Sequence, residues 1–336
     1  MNARLTNTAL KLSGIFILFL VMVLLIYLSV VYGVINTNWR HAIEAYTQFN
    51  GTNEHIAIRD VRVPRALVAT VVGANLGVAG ALLQALTKNP VADTGILGIN
   101  YGASFFIVFA LTFFSVNSIM AFTWIAFLGA ALSGLAVYGL GSLGRGGMTP
   151  IKLTLAGAAL GALASSYTNG MLVVNEKVLD EVLFWLSGSV AGRSLDMLMA
   201  VMPFVLVGWV GSLLIAGQVN TLLLGEDVAR GLGQRTVFVK LAIGLIIIIL
   251  AGSSVGVAGP IAFVGLITPH LARYLVGIDF RWVILYSALL GSVFLLGADI
   301  AARFIAMPRE LPIGVVTAFL GAPFFIYVVR KGELRA

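Results

Sequence analysis

Ten apolar runs, each close to the length a helix needs to cross a bilayer core, constrain this chain more than any other feature. They cover residues 12–35, 64–86, 95–115, 119–141, 151–172, 196–216, 237–258, 260–276, 283–305 and 312–329. Hydrocarbon offers no water to the backbone, so such a chain crosses as helices or as a closed barrel. Barrel strands need only about 10 residues, which leaves helices. The expected fold class is all-α, a polytopic membrane bundle forming a single transmembrane domain over residues 1–336. Only 10% of residues are charged, against about a quarter in soluble domains. The 38 glycines suit membrane helices, where small residues let backbones approach closely. The first run is longer than a signal-peptide core and no small-residue cleavage site follows it, so it reads as a retained span. The seventh and eighth runs are divided only by Gly259-Pro260. Segment 176–194 is amphipathic and too charged to span, and is expected to form an interfacial helix.

An even number of spans puts both termini on one side. With the termini cytoplasmic, thirteen of the 21 Lys and Arg fall inside; Arg145, Lys331 and Arg335 are among them. Arg40, Arg59, Arg62, Arg65, Lys177, Arg193, Arg303 and Arg309 fall outside. This bias follows the positive-inside rule. The outside cations are nearly all arginine, whose planar fork suits carboxylates. Two readings stand: headgroup anchoring or local pairing with Asp60, Asp299 or Glu310, or a docking surface for an acidic partner outside the membrane.

Sliding the sequence on itself by about 179 positions lays Gly73, Gly77 and Val78-Ala79-Gly80 on Gly252, Gly256 and Val257-Ala258-Gly259. The register continues to Pro90 on Pro269 and Gly98 on Gly277. The second and seventh spans cross in opposite directions, so this is the pattern of an inverted repeat relating spans two to five with spans seven to ten. The G-x-x-x-G pairs Gly73/Gly77, Gly157/Gly161 and Gly252/Gly256 are expected as packing seams.

The missing motifs narrow the function. There is no cysteine and only His41, His55 and His270, so neither a resident metal site nor any cofactor is expected. No intramembrane acidic chain of the kind ion-coupled carriers use is visible; Asp93 and Asp299 sit near span ends, and Asp299 is spaced to pair with Arg303 one turn on. No phosphate-binding G-x-x-x-x-G-K-[ST] loop occurs, and no catalytic constellation suggests an enzyme. A large transporter without an engine needs one attached. The segment 220–235 between the sixth and seventh spans is the candidate attachment, a short amphipathic helix bracketed by glycine turns; a plain solvated loop is the alternative.

Four blocks in order carry a family resemblance: RVPRALVATVVGANLGVAGALLQALTKNPVADTGILGINYGA, LLLGEDVARGLG, GVAGPIAFVGLITPHLAR and ADIAARFIAMPRELPIGVVTAFLGAPFFIYVVRK. Together they span about residues 60–330, and the chain resembles the FecCD-type permeases of bacterial ABC importers for ferric siderophores, haem and cobalamin. The resemblance implies a type II importer permease in the inner (cytoplasmic) membrane. Its partners would be a second permease chain, identical or paralogous, two cytoplasmic ATPase subunits and an extracytoplasmic substrate-binding protein, with lipid around it and no nucleic acid. It implies docking of the binding protein on Arg62, Arg65 and Arg303. ATPase coupling would run through Gly225, Glu226, Asp227, Arg230, Gly231 and Gly233, and a cytoplasmic gate would lie at Asn89, Val91, Thr149 and Pro150. Pro150 and Ile151 replace small hydroxyl residues of the cobalamin case, which counts against cobalamin; a ferric siderophore, the commonest cargo of the family it resembles, is the expected cargo. Cobalamin or haem are the alternatives within the family, and an ion-coupled carrier is the rival outside it.

Overall fold

The computed structural model describes residues 4–33, 35, 37–114, 116, 118–143, 149–306 and 309–330. Arg145, Lys331 and Arg335 of the charge pattern lie outside them. Every regular element among the described residues is helical: α1 (Thr8–Val31), α2 (Trp39–Thr47), α3 (Asn53–Ile56), a π-turn (Ala57–Arg62), α4 (Val63–Thr87), a 3₁₀ turn (Thr94–Leu97), α5 (Ile99–Phe113), α6 (Ile119–Ser142), α7 (Pro150–Val174), α8 (Glu176–Leu186), α9 (Leu195–Leu223), α10 (Glu226–Gly231), α11 (Thr236–Ala258), α12 (Val264–Val276), α13 (Phe280–Ile305) and α14 (Ile313–Arg330).

Each apolar run falls on a helix, but the helices are not equivalent. Among the described residues six are long and apolar enough to cross a membrane: α1, α4 with its preceding turns, α6, α9, α11 and α13. α5 and α14 are apolar but shorter. α7 has the length, with 25 residues, but carries Thr154, Ser165, Ser166, Thr168 and Asn169. α12 has only 13 residues, about 20 Å at 1.5 Å per residue, short of a core about 30 Å thick. Its apolar run begins at residue 260, but Gly259 and Pro260 end α11, and the chain stays non-helical until Val264. Hydropathy counts those residues while the backbone does not.

α4 is the hub. It packs against α13, α11, α12, α9 and α1 and is almost wholly buried. Lipid supplies no hydrophobic drive between helices, so close backbone packing must hold them. A methyl group on Gly73 would fall 2.3 Å from the Gly291 carbonyl oxygen, on Gly77 2.1 Å from that of Ser287, and on Gly80 2.0 Å from that of Gly265. The expected seam is thus real, and it seats α4 directly on α13 and α12. Gly256 faces the Thr123 carbonyl of α6, and Gly161 faces Tyr101 of α5. α1 lies outside this core, against α13 and α4.

Two expectations need correction. The interfacial segment is helical only to Leu186, with Val178, Val182 and Trp185 buried along one side; beyond it, residues 187–194 form turns. The later repeat register also fails as structure. Pro90 sits in the turn after α4, whereas Pro269 lies inside α12. Gly98 opens α5, whereas Gly277 closes α12. The shared helical pattern stops at Gly80 and Gly259, because Pro260 breaks one copy and Ala81 continues the other.

The seam predicts a sharp contrast. Gly80→Ala should cost about 1–3 kcal/mol through overpacking and lower the thermal midpoint of the detergent-solubilised chain. Gly139→Ala, with no atom within 4 Å of the added carbon, should leave the midpoint unchanged or raise it.

Candidate docking and coupling sites

At the end of the bundle where α1 finishes and α4 begins, the arginines expected to face a partner turn inward. Arg62, Arg65 and Arg303 are each no more than 6% exposed, so their expected exposure does not hold. Arg62 ends the π-turn and donates to the carbonyls of Val30 (3.2 Å), Val31 (2.9 Å) and Ile35 (2.5 Å) and to Thr37 Oγ1 (2.6 Å). It therefore caps the C-terminus of α1, where unpaired carbonyls and the negative end of the helix dipole favour a cation. Arg65, on the first turn of α4, donates through Nε to Asp299 Oδ1 at 2.8 Å and through Nη1 to Glu310 Oε2 at 2.6 Å. Arg303 closes the group from α13. It bonds the other oxygen of Asp299 one turn before it, and Ser29 O and Oγ at 2.7 Å each.

Asp299 is thus shared between two guanidiniums while fully buried, and the reading of local pairing describes what the side chains do. Arg65 and Arg303 balance Asp299 and Glu310, which makes the burial tolerable. Arg40, Arg59 and Arg309 remain exposed at this end. Arg59 stands three residues before Arg62, and Arg309 directly precedes Glu310.

At the other end of α4, the segment after α9 folds as expected into a short helix between glycine turns. Gly225 and Gly233 adopt φ of +121° and +81°, which side chains with a Cβ rarely adopt. Ala229 is buried, while Asp227, Val228, Arg230 and Gly231 are exposed. Val228 and Leu232, four residues apart, are apolar and exposed, as is Leu224 just before the Gly225 turn. Glu226 ties α10 down: it accepts from Lys240 Nζ of α11 at 2.6 Å and from Arg230 at 2.7 Å. The Lys240 hydrogen bond leads in holding the Glu226 carboxyl below the usual range, with the charges of Lys240 and Arg230 adding to it against partial burial.

The expected gate residues are next to this tie. Thr149 caps α7 by accepting from Lys152 N, and Pro150 takes the first helical position. Thr149, Pro150, Lys88, Glu226 and Lys240 share one cavity of about 80 Å³. Asn89 and Val91 do not line it. They form the turn beyond Lys88, where Asn89 Oδ1 accepts from Val91 N at 3.1 Å.

A third polar cluster was not visible in the sequence. Gln84 Nε2 donates to the carbonyls of Ala92, Gly265 and Leu266 at 3.2–3.3 Å, and its oxygen accepts from Arg273. Asp93 accepts from the N–H of Phe263 at 3.2 Å and of Thr94 at 2.9 Å, so it caps the start of α12. The only signal was a glutamine and an arginine inside apolar runs. Among the described residues no group of three or more His, Asp or Glu could hold a metal ion.

Comparison with known proteins sets this geometry in context. The profile of the FecCD transport family matches residues 20–331. YfiZ of Bacillus subtilis, assigned as a siderophore transport system permease, is 56% identical over 90% of this chain and 91% of its own. The ferric enterobactin permease FepD of Escherichia coli is 40% identical over 94% of both chains. A solved inward-facing structure assigned to the metal-chelate type of ABC transporter superposes with a TM-score of 0.83 at 28% identity, covering 95% of this chain and 99% of that one.

Two predictions follow from the charged clusters. Asp299→Ala leaves the buried Arg303 without a carboxylate and Arg65 with Glu310 alone, and should cost about 3–5 kcal/mol, read as loss of folded chain in membranes, whereas Glu310→Gln, at a one-third exposed partner, should cost less. Because the Glu226 carboxyl is depressed, its contribution is present above the ordinary glutamate range and disappears as pH falls through its lowered value. Spin labels on α10 and α11 should keep a fixed separation from pH 8 down to the ordinary glutamate range and part only below it. Glu226→Gln should widen the separation at every pH.

Proposed function

The chain belongs to the FecCD transport family, and from that membership we propose that it is the permease of an ATP-driven importer. Its cargo on this reading is an iron chelate, a ferric siderophore, delivered by a binding protein outside the membrane. One observation carries the cargo assignment: the extent of the likeness to a permease assigned to siderophore transport, over about nine tenths of both chains. A pre-wrapped chelate needs no protein ligands for its iron, so a cysteine-free chain of three histidines is adequate to the task.

In this reading the chain is a multi-pass protein of the cytoplasmic membrane with both termini inside. It crosses ten times, with α12 a half-length crossing, and pairs with a second permease chain. Spans two to five and seven to ten form the inverted halves. α10 is the coupling element gripped by an ATPase subunit: its exposed Val228 and the flanking exposed Leu224 and Leu232 offer the grip, and hydrolysis belongs to that subunit. Asn89, Val91, Thr149 and Pro150 form the gate beside it. The Glu226–Lys240 tie passes movement of α10 to α11, since glycine turns at either end of α10 transmit little torque.

Docking falls to the end that carries the arginines. Arg59 and Arg309 are the exposed cations that adjoin the buried group in sequence, with Arg40 apart from them on α2, and Arg62, Arg65 and Arg303 form the foundation beneath them. An approaching carboxylate meets Arg59 and Arg309 first, and reaches Arg65 or Arg303 only by displacing Glu310 or Asp299.

The test is reconstitution in proteoliposomes with the cognate ATPase and binding protein, offering ferric siderophore, ferric citrate, haem and cobalamin in turn. Accumulation of the ferric siderophore that requires ATP and both partners is the expected result. Accumulation without the ATPase, driven by an ion gradient, would make the chain a secondary carrier. In the same system Arg59→Glu with Arg309→Glu should weaken binding-protein association at least tenfold and leave the chain folded. The Arg62, Arg65 and Arg303 reversals should instead reduce the amount of folded chain.

A further inference from the structure

Helix α2 stands outside every site above, yet its surface is ordered in a specific way. At 3.6 residues per turn its positions fall into three sectors. His41, Ala42 and Ala45 face the protein, and Ala45 is fully buried. Trp39, Ile43 and Tyr46 form the next sector, each more than half exposed. Arg40, Glu44 and Thr47 form the third and are also exposed. The aromatic and polar sectors thus divide the exposed face of α2 between them. A helix takes that arrangement where protein, hydrocarbon edge and water meet.

Its height along the bundle is fixed by bonds already described. Thr37 Oγ1 donates to Val31 O at 2.6 Å, and Arg62 holds Val30, Val31, Ile35 and Thr37 together. Residue 37 is therefore level with the last turn of α1, and Trp39 follows two residues later. α1 is among the helices apolar enough to cross a membrane, and its apolar residues are exposed along most of its length, including Phe16, Leu20, Leu24 and Tyr27. Tyr32, Ile35 and the aromatic sector of α2 are exposed as well. Tryptophan and tyrosine concentrate at the headgroup level, where one end of the ring is apolar and the other wet. The Arg40 guanidinium lies over the Trp39 ring at 5.5 Å, placing a cation beside the aromatic sector where phosphates would lie.

We propose that α2 is an interfacial anchor, lying along the phospholipid headgroup boundary at the end where α1 leaves the bilayer, with Trp39, Ile43 and Tyr46 in the acyl edge. The occupant of this face is lipid, and the anchor steadies the loop that presents Arg62 to α1. Arg40 and Glu44 offset each other, so aromatic burial dominates over charge and the attachment withstands high salt.

The absence of native cysteine allows a direct test in the full chain, reconstituted in phosphatidylcholine–phosphatidylglycerol vesicles. Nitroxide labels are placed singly at Ile43→Cys, Tyr46→Cys and Glu44→Cys, with Leu24→Cys as the in-lipid reference. Labels at 43 and 46 should collide with oxygen as the reference does. They should also be several-fold less accessible to an aqueous nickel chelate than the label at 44, in 0.1 M and in 1 M salt alike. Equal nickel access at 43 and 44 would overturn the proposal. So would protection of 43 that arises only after a binding protein is added, which would make this face a protein-docking surface. A second measurement avoids any folding defect of the cysteine variants. Brominated lipid should quench a share of wild-type tryptophan fluorescence that Trp39→Phe removes, and an unchanged quenched share would reject the anchor.

Discussion

The contact between the backbones of α4 and its two neighbours, α12 and α13, sets the rest of this structure. Helices already in lipid gain little by hiding apolar surface from one another, so association depends on dispersion and on how closely the chains approach. Gly73, Gly77 and Gly80 bring α4 to within a methyl group's width of Gly291, Ser287 and Gly265. Three such contacts along one helix fix its rotation as well as its distance. That rotation aims Arg65 at Asp299 at one end and brings Lys88 to the cavity beside Glu226 at the other. Both candidate sites are thus attached to one buried rod.

The buried charges follow from that placement. A guanidinium at the start of α4 faces α13, where Asp299 receives it, and Arg303 one turn later takes the second carboxylate oxygen. An isolated charge so deep would cost several kcal/mol, and a set whose charges balance costs far less, even with Arg303 Nε left without a hydrogen-bond partner. Arg62 needs no carboxylate because the carbonyl end of α1 supplies the negative potential. The group staples α1, which otherwise touches the core only along α13 and α4, to the bundle. Its function as a staple follows from geometry alone, whatever docks above it.

Much of this was legible in the sequence, for physical reasons that also explain what was not. Apolar runs locate helices because lipid permits little else, and the glycine spacing located the seam because only small residues allow that approach. The pairing of Asp299 with Arg303 was readable because four residues make one helical turn. Arg65 meets Asp299 across 234 positions, and no local rule reaches that far; a cluster of arginines outside the bundle looked like an exposed surface for that reason. α12 looked like a full span because residues 260–263 are apolar without being helical. Its cap, Asp93, comes from a different turn altogether. α2 escaped notice because nine residues of mixed character resemble a loop until their neighbours divide them into sectors.

The two ends of α4 differ in how they respond to force, and that difference bears on transport. At the arginine end the polar side chains are committed to several partners each, and a displacement there breaks charged bonds in a buried setting. At the other end α10 hangs between two glycines held at positive φ, tied sideways by Glu226 and set beside a void bordered by the first turn of α7. Elements with few buried contacts and solvent-exposed bonds are the ones that open at low cost. Movement imposed on the bundle is therefore absorbed first around α10, Lys88 and the start of α7, while the seam keeps α4, α12 and α13 as one body. A motor attached at the stiff end would have to tear the charge group apart to move anything. Attached at the yielding end, it displaces a six-residue helix against the Glu226–Lys240 ion pair and a few hydrogen bonds of Thr236 and Gln234, and the seam carries the displacement inward.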